Sequence, residues 1–390
     1  MKKIAFILAG FLFVLTVSAQ NERPITTGVP FLLITADARA AGMGDNGVAT
    51  SADAFSQQFN PAKYAFALKK QGFTVSYTPY LTDLVNDISL GQVTYYNRMN
   101  ERSAFATSLR YFSLGEIQLT DAGGIDQGVV KPNELALDLS YSLHLSDKFA
   151  MAVAGRYIRS NLKIASANND ASAANSFAVD VAGFYQSEEM AFTDFNGRYR
   201  LGFNFQNMGP KISYDADVER SSNFLPSNLK LGGGFDFIFD DYNKIGLNLE
   251  FNKLLVPTPK KVIDTNGNGF IDGNESQAAA DEYNSVGWAS GIFKSFGDAP
   301  DGFSEELKEV TYGIGAEYWY QDSFALRTGY FNESKDKGAR KFATLGAGFK
   351  YTTITLDVSY LFSISKVKNP LENTLRFSLT FNFGDDYDQY

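Results

Sequence analysis

The chain has 390 residues, of which 44 are acidic and 35 are lysine or arginine, so its formal net charge is −9 at pH 7. An acidic chain without a basic cluster is poorly suited to nucleic-acid binding, which needs lysine and arginine contacts to phosphate. Because the chain contains no cysteine, disulfide bonds and thiolate metal sites are excluded.

The first segment has the features of a secretory signal peptide. Lys2 and Lys3 precede an apolar run at residues 4–17, and the run ends in the small residues Ser18 and Ala19. The run is shorter than the roughly 20 residues that a membrane-spanning helix needs. We therefore expect a cleavable signal peptide at residues 1–19 and an exported protein.

The next segment, residues 20–69, is rich in small residues and lacks a clear period. Gly42, Gly44 and Gly47 match the pattern G-x-G-x-x-G, but no strand–turn–helix pattern surrounds them, so a dinucleotide site is not supported. Glycine allows close packing and positive φ angles. We interpret the segment as an N-terminal plug inside a barrel.

The remainder of the chain, residues 70–384, has the period-2 alternation of half-buried strands. Leu375, Phe377 and Leu379 share one face, whereas Arg376 and Ser378 share the other. We count about fourteen such segments, beginning near residues 71, 88, 102, 133, 148, 175, 197, 227, 243, 308, 322, 341, 353 and 372. No run of about 18 apolar residues follows the signal peptide, and 34 Phe, 21 Tyr and 34 Gly are present.

These patterns predict an all-β, transmembrane outer-membrane β-barrel of about 14 antiparallel strands with an N-terminal plug in its lumen. The alternative is a secreted all-β protein. An even strand number places both chain termini in the periplasm and leaves residues 385–390 as an acidic C-terminal tail.

The lengths of the predicted links support the barrel. Links after odd-numbered strands are mostly long, with the longest at residues 255–307, and links after even-numbered strands are mostly short, apart from residues 187–196. Bacterial barrels have long extracellular loops and short periplasmic turns, whereas a soluble sandwich has no reason to keep this alternation.

The longest predicted loop contains a calcium-loop pattern, D-x-[DN]-x-[DN]-G-x5-E, at residues 264–275. The predicted Ca²⁺ ligands are Asp264, Asn266, Asn268, the carbonyl of Phe270, Asp272 and Glu275. The segment before the loop is not helical in character, although the segment after it is. The alternative is a turn rich in asparagine and glycine. We expect structural calcium that stiffens the loop.

The same loop carries three phenylalanines, Phe293, Phe296 and Phe303, at positions expected to be exposed. Apolar side chains there suggest a partner-binding surface or a cap over the lumen. Packing of the loop against itself is the alternative.

We find no catalytic constellation in the sequence and expect no enzymatic activity. The only histidine, His144, falls on the lumen face of its predicted strand, and no G-x-S-x-G elbow is present. Asp138, Asp180 and Glu250 are predicted on lumen faces, where we expect them to be solvated or paired.

The N-terminal segment also carries a family resemblance. ARAAGMGDNGVAT at residues 38–50, Asp53, and Asn60-Pro61-Ala62 resemble the N-terminal signature of FadL-type barrels, in which an Asn-Pro-Ala motif marks a lumen plug. QNMGPKISY at 206–214, SFGDAPDGFSEELKEV at 295–310 and the chain length resemble the PorV (LptO) family within that superfamily.

This resemblance implies a function in type IX protein secretion. It implies that the barrel binds the C-terminal signal domains of cargo beside a Sov/SprA-type translocon barrel, and that it passes the cargo to a sortase-like surface attachment complex. Outer-membrane lipid would surround it. The alternatives are a FadL-like channel for hydrophobic molecules and a lipopolysaccharide-modifying barrel. The long loop favours a protein partner, and the lone histidine argues against an enzyme.

Overall fold

A computed structural model describes residues 24–121, 123–162, 173–214, 222–365 and 369–387. The predicted signal peptide, residues 1–19, lies outside these residues, as does the end of the predicted acidic tail.

Fourteen antiparallel strands form a closed barrel, because the first strand pairs with the last, as in Phe73 opposite Phe381. The strands are Lys69–Pro79 (β1), Ile88–Arg98 (β2), Ser103–Leu114 (β3), Asn133–Ser146 (β4), Phe149–Asn161 (β5), Ala174–Gln186 (β6), Asn196–Met208 (β7), Asn228–Ile238 (β8), Asn243–Leu254 (β9), Val310–Tyr320 (β10), Phe324–Asn332 (β11), Lys341–Tyr351 (β12), Ile354–Ser363 (β13) and Leu375–Asp386 (β14). The predicted fold class is confirmed. The least accurate predicted start, near residue 372, lies at Leu375 in the structure.

The alternation in the sequence becomes two faces of the barrel wall. In β1, Phe73, Val75 and Tyr77 are exposed on the outer face. Thr74 and Ser76 are buried on the inner face. An outer apolar face and an inner polar face suit a wall that is surrounded by lipid and packed inside by protein.

The observed links alternate in length around the barrel. Those after odd-numbered strands are long, and the link between β3 and β4 includes a small hairpin, Ile117–Thr120 with Asp126–Val130. Those after even-numbered strands are short, except for residues 187–195, which contain the two-residue strand Met190–Ala191. The two ends of the barrel are called here the long-loop end and the short-turn end.

Helices occur in the N-terminal segment and in the longest loop. The first contains α1 (Ala38–Ala41) and α2 (Ser56–Phe59), with 3-10 turns at Pro30–Leu33 and Pro61–Phe66. The loop at residues 255–309 contains α3 (Gly273–Ser285), α4 (Trp288–Lys294) and α5 (Phe303–Lys308). Among the described residues, no helix has the length and hydrophobicity needed to cross a membrane.

Residues 29–67, called here the lumen segment, run through the barrel from one end to the other. At the long-loop end, Phe31 packs near Phe112 of β3 with ring centroids 6.2 Å apart. At the short-turn end, Phe66 packs against Phe184 of β6 with ring centroids 5.2 Å apart. The segment therefore crosses the lumen before the chain enters β1.

This path corrects one expectation. Gly28 donates its backbone N–H to the carbonyl of Phe224, in the long link between β7 and β8, over 2.8 Å. The first described residues therefore lie at the long-loop end, not at the short-turn end where we expected the N-terminal side of the chain. The reason is that the segment fills the lumen along its whole length. The last strand, β14, does end at the short-turn end.

Candidate functional site

The three glycines of the G-x-G-x-x-G pattern lie where the lumen segment meets the wall or itself. Gly44 has φ +71°, and a Cβ there would lie 2.8 Å from backbone atoms of Tyr330 in β11. A Cβ at Gly47 would lie 2.1 Å from the ring of Phe59. At Gly42 the corresponding distance to the Cα of Gly346 is 3.1 Å. Side chains at Gly42 and Gly44 would hold the segment away from the wall, and a side chain at Gly47 would displace Phe59 within the segment.

The Asn-Pro-Ala motif joins two turns of the lumen segment to β6. Asn60 donates its side-chain amide to the carbonyls of Val48, at 2.9 Å, and Gly183, at 3.0 Å. Its carbonyl oxygen accepts the N–H of Ala62 and so caps the 3-10 turn, in which Pro61 takes the first position. Asn60 and Ala62 are fully buried.

A buried ion network, which the sequence analysis missed, fixes the lumen segment to three wall strands. Arg39 of α1 donates two hydrogen bonds to Glu317 of β10, at 2.9 and 2.7 Å, and a third to Asp53 at 2.7 Å. Glu317 also accepts from Arg327 of β11, which donates to Asp357 of β13. The sequence contained one indication of this network, because charged residues occur on the inner faces of these strands.

Other inner-face carboxylates are also paired. Glu250 accepts the backbone N–H groups of Gly47 and Val48, both at 2.8 Å, and the ammonium of Lys230 at 3.1 Å. Asp138 and Asp180 both accept hydrogen bonds from Arg156. Of the two environments expected for these carboxylates, pairing is the one observed.

His144 faces the lumen and is buried against the N-terminal segment. Its two ring nitrogens lie 3.1 Å from the carbonyl of Ser146 and 2.9 Å from the carbonyl of Ala65. Its ring also packs edge-on against Phe66. These contacts give His144 a role in holding the segment at the short-turn end.

The predicted calcium loop is folded tightly around its own side chains. Asp264 accepts the backbone N–H groups of Gly267, Asn268 and Gly269, at 2.6 to 3.3 Å. Asp272 caps α3 and forms a reciprocal capping box with Glu275. The helix therefore begins inside the motif.

Glu275 closes the loop. Backbone N–H groups of Asp272, Thr265 and Asn266 donate to its carboxylate and hold its pKa below the usual value for glutamate. Among the described residues, no three acidic or histidine side chains are grouped so that they could hold a metal ion. The remaining predicted ligands, Asn266, Asn268 and the carbonyl of Phe270, supply neutral oxygens, and calcium binding stays a prediction.

The three phenylalanines of the loop are exposed to solvent. Phe293 and Phe303 are 79% and 77% exposed, and Phe296 is 51% exposed. The adjacent Ile292 is buried, so α4 has one anchored side and one free side. These exposures do not fit packing of the three rings against the loop itself.

The base of the loop is attached firmly to the barrel rim. Lys253 at the end of β9 binds Glu306 at 3.0 Å and Glu309 at 2.6 Å. Lys337, in the link between β11 and β12, binds Glu305 and Glu309, both at 2.8 Å. Two neighbouring links of the long-loop end are thereby held together.

Solved structures that are similar to this chain share little sequence with it. They include the CymD monoaromatic hydrocarbon channel (12% identity, covering 92% of this chain and 99% of that chain, TM-score 0.48). A Pseudomonas aeruginosa FadL homologue has 13% identity, covering 90% of this chain and 99% of that chain, with a TM-score of 0.45. The P. putida toluene transporter TodX has 10% identity, covering 88% of this chain and 97% of that chain, with a TM-score of 0.49. No curated protein matches the chain.

The family model described as type IX secretion system protein PorV matches residues 17–261. This match covers more than half of the 390 residues and includes the lumen segment and the first nine barrel strands. It ends before the predicted calcium ligands. The chain therefore belongs to the PorV family of type IX secretion system proteins.

Proposed function

We propose that the protein is a non-enzymatic outer-membrane component of the type IX secretion system. It binds the C-terminal signal domains of cargo at a Sov/SprA-type translocon barrel and carries them to a sortase-like surface attachment complex. Membership of the PorV family is the observation that carries the proposal. The exposed phenylalanines of the rim-anchored loop support a protein-binding role at the long-loop end.

The long outer loop supports this function over the FadL-like channel. A plain diffusion channel gains little from a loop of this length that is fixed to the barrel rim by the ion pairs of Lys253 and Lys337. A protein partner would use the surface that this loop exposes. Both ring nitrogens of His144 lie beside backbone carbonyls, so this residue gives the lipopolysaccharide-modifying alternative no support.

Affinity purification from detergent-solubilised outer membranes tests the proposal. We expect a tagged wild-type barrel to recover a very large barrel protein or cargo that carries the signal domain. Recovery of neither, together with hydrophobic molecules bound inside the lumen, would favour the channel instead.

A matched pair of double variants tests the loop surface. We expect Phe293→Ser with Phe303→Ser to lower recovery of cargo at least about fivefold, because large aromatic side chains dominate many protein interfaces. The control is Tyr242→Ser with Tyr351→Ser, which removes two exposed aromatic side chains at the short-turn end. Equal losses in both variants would show that the loop phenylalanines have no special role.

A further inference from the structure

A row of four side chains crosses the outer surface of the barrel at the long-loop end. Phe251 of β9 lies opposite Tyr312 of β10, Tyr312 opposite Asn332 of β11, and Asn332 opposite Lys341 of β12. All four fall on the outward face, because their neighbours along each strand point into the lumen. The row therefore changes from apolar to cationic over four adjacent strands.

Two segments above the row complete a cavity of about 730 Å³. Leu307, at the end of α5, and Lys335, in the link between β11 and β12, line the cavity together with the four residues of the row. The ion pairs of Lys337 hold these two segments together, so the cavity is built by the fixed base of the loop.

The cavity carries positive charge on a chain of net charge −9. A third lysine at its edge, Lys308, is paired with Asp336 at 2.8 Å. Neither Lys335 nor Lys341 forms an ion pair with any residue that the structure describes. Two ammonium groups are thus available to an anion at this site.

The position of the cavity selects the type of ligand. Below the row, Leu249 and Ile314 continue the exposed apolar surface towards the middle of the barrel wall. Lysines at the edge of such a surface lie at the level of lipid headgroups, where each contributes to binding anionic lipid. An acidic peptide would use the lysines and leave the apolar side of the cavity without a partner.

We propose that this cavity binds a phosphorylated lipid of the outer leaflet. Lys335 and Lys341 hold the phosphate group, while Phe251, Leu307 and Tyr312 contact the upper part of the acyl chains. The site lies on the outer face of the barrel, away from the lumen, and none of the three exposed loop phenylalanines lines it, so it does not depend on the function proposed above.

Native mass spectrometry of the purified full-length barrel in a neutral detergent tests the site. The probes are dioleoyl phosphatidic acid and dioleoyl phosphatidylcholine, which share acyl chains and differ in headgroup charge. We expect the wild-type barrel to prefer the phosphatidic acid. We expect Lys335→Gln with Lys341→Gln to weaken binding of that lipid at least about tenfold and to leave phosphatidylcholine unchanged.

The matched control is Lys294→Gln with Lys350→Gln. It removes the same charge from α4 and from the opposite end of β12, and both lysines are exposed. Retention of the compact, faster-migrating folded form in unheated gels shows that each variant is assembled.

Three results would overturn the proposal. The first is equal affinity of wild type and the Lys335/Lys341 variant for phosphatidic acid. The second is equal weakening by the control variant. The third is complete displacement of the lipid by inorganic phosphate or by a soluble acidic peptide at millimolar concentration, which would mean that the acyl chains add nothing to binding.

Discussion

The lumen segment and the loop at residues 255–309 are the two long stretches outside the barrel wall, and they differ in what they expose. In the lumen segment, Ala36, Ala38, Asn60 and Lys63 are fully buried. Its charged groups have partners in the wall, as Arg39 has in Glu317, or within the segment, as Lys63 has in Thr50. The outer loop is fixed to the barrel rim at its base and also packs against the link between β7 and β8, as Tyr283 does against Phe224, but it leaves large apolar side chains in solvent.

This difference indicates that the lumen segment stabilises the barrel, whereas the outer loop is suited to recognising a partner. Burying charges in a lumen is costly unless each has a partner, so the interior contacts constrain the segment to one position. The outer loop differs because its base is anchored while its aromatic surface is exposed. Such a surface can bind a partner. The following predictions are ordered from the largest expected effect to the smallest.

Arg39→Ala should have the largest effect on stability. It leaves Glu317 and Asp53 without one of their partners inside the lumen, so the free energy of unfolding should fall by about 3–5 kcal/mol. Urea unfolding of barrels in lipid vesicles measures this change. Lys260→Ala is the control in the loop, where the exposed pair with Glu282 contributes less than about 1 kcal/mol. Similar decreases in the free energy of unfolding for the two variants would contradict the proposed difference between the lumen segment and the outer loop.

Gly329→Ala should destabilise the barrel by about 1–3 kcal/mol, because a Cβ there would lie 2.1 Å from the backbone of Met43 and Gly44. Gly155→Ala is the matched control on another strand, since nothing lies within 4 Å of a Cβ at that position. The same unfolding measurement compares them. An unchanged free energy of unfolding for Gly329→Ala would mean that the lumen segment can move away from β11.

Calcium should stabilise only the outer loop. If the predicted site binds with a dissociation constant of about 0.1–1 mM, calcium at ten times that value adds about 1.4 kcal/mol to the stability of the loop. Calorimetry of the refolded barrel should show binding that Glu275→Gln abolishes. Flat traces for both proteins would refute the calcium prediction and leave the capping box as the role of Glu275.

Acid should loosen the base of the loop. Burial alone would raise the pKa of Glu309, but the hydrogen bonds from Lys253, Lys337 and Thr258 outweigh it and lower the pKa. A carboxylate with a lowered pKa contributes stability above its unfolded pKa and loses it as pH falls through the folded value. Hydrogen exchange in α5 should therefore increase below about pH 4, and the Glu309→Gln variant should show little of this pH dependence.

The barrel wall could be predicted from sequence because its signal is local. Alternation along Leu375–Asp386 reflects the two environments of one strand, and no knowledge of its neighbours is needed. Link lengths added a second local signal. The even number of strands agreed with the closed barrels of bacterial outer-membrane proteins.

The lumen contacts could not be predicted in the same way, because they join residues far apart in the chain. Arg39 and Glu317 are 278 positions apart, and their pairing depends on the path of the whole lumen segment. For the same reason, we expected the N-terminal side of the chain at the short-turn end, whereas its first described residues lie at the long-loop end. In the outer loop, the capping of α3 by Asp272 and Glu275 is local, and the calcium motif contained that information.

Replacement of residues 259–301 by a short Gly–Ser linker, combined with Phe303→Ser, tests the central claim most directly. It keeps Lys253, Glu305 and Glu309, which anchor the base, and removes the exposed helices α3 and α4. The measurement is the amount of signal-bearing cargo on the surface of cells that contain assembled barrel. We predict wild-type amounts of folded barrel with cargo retained in the periplasm. Normal surface display of cargo would contradict the assignment of recognition to this loop.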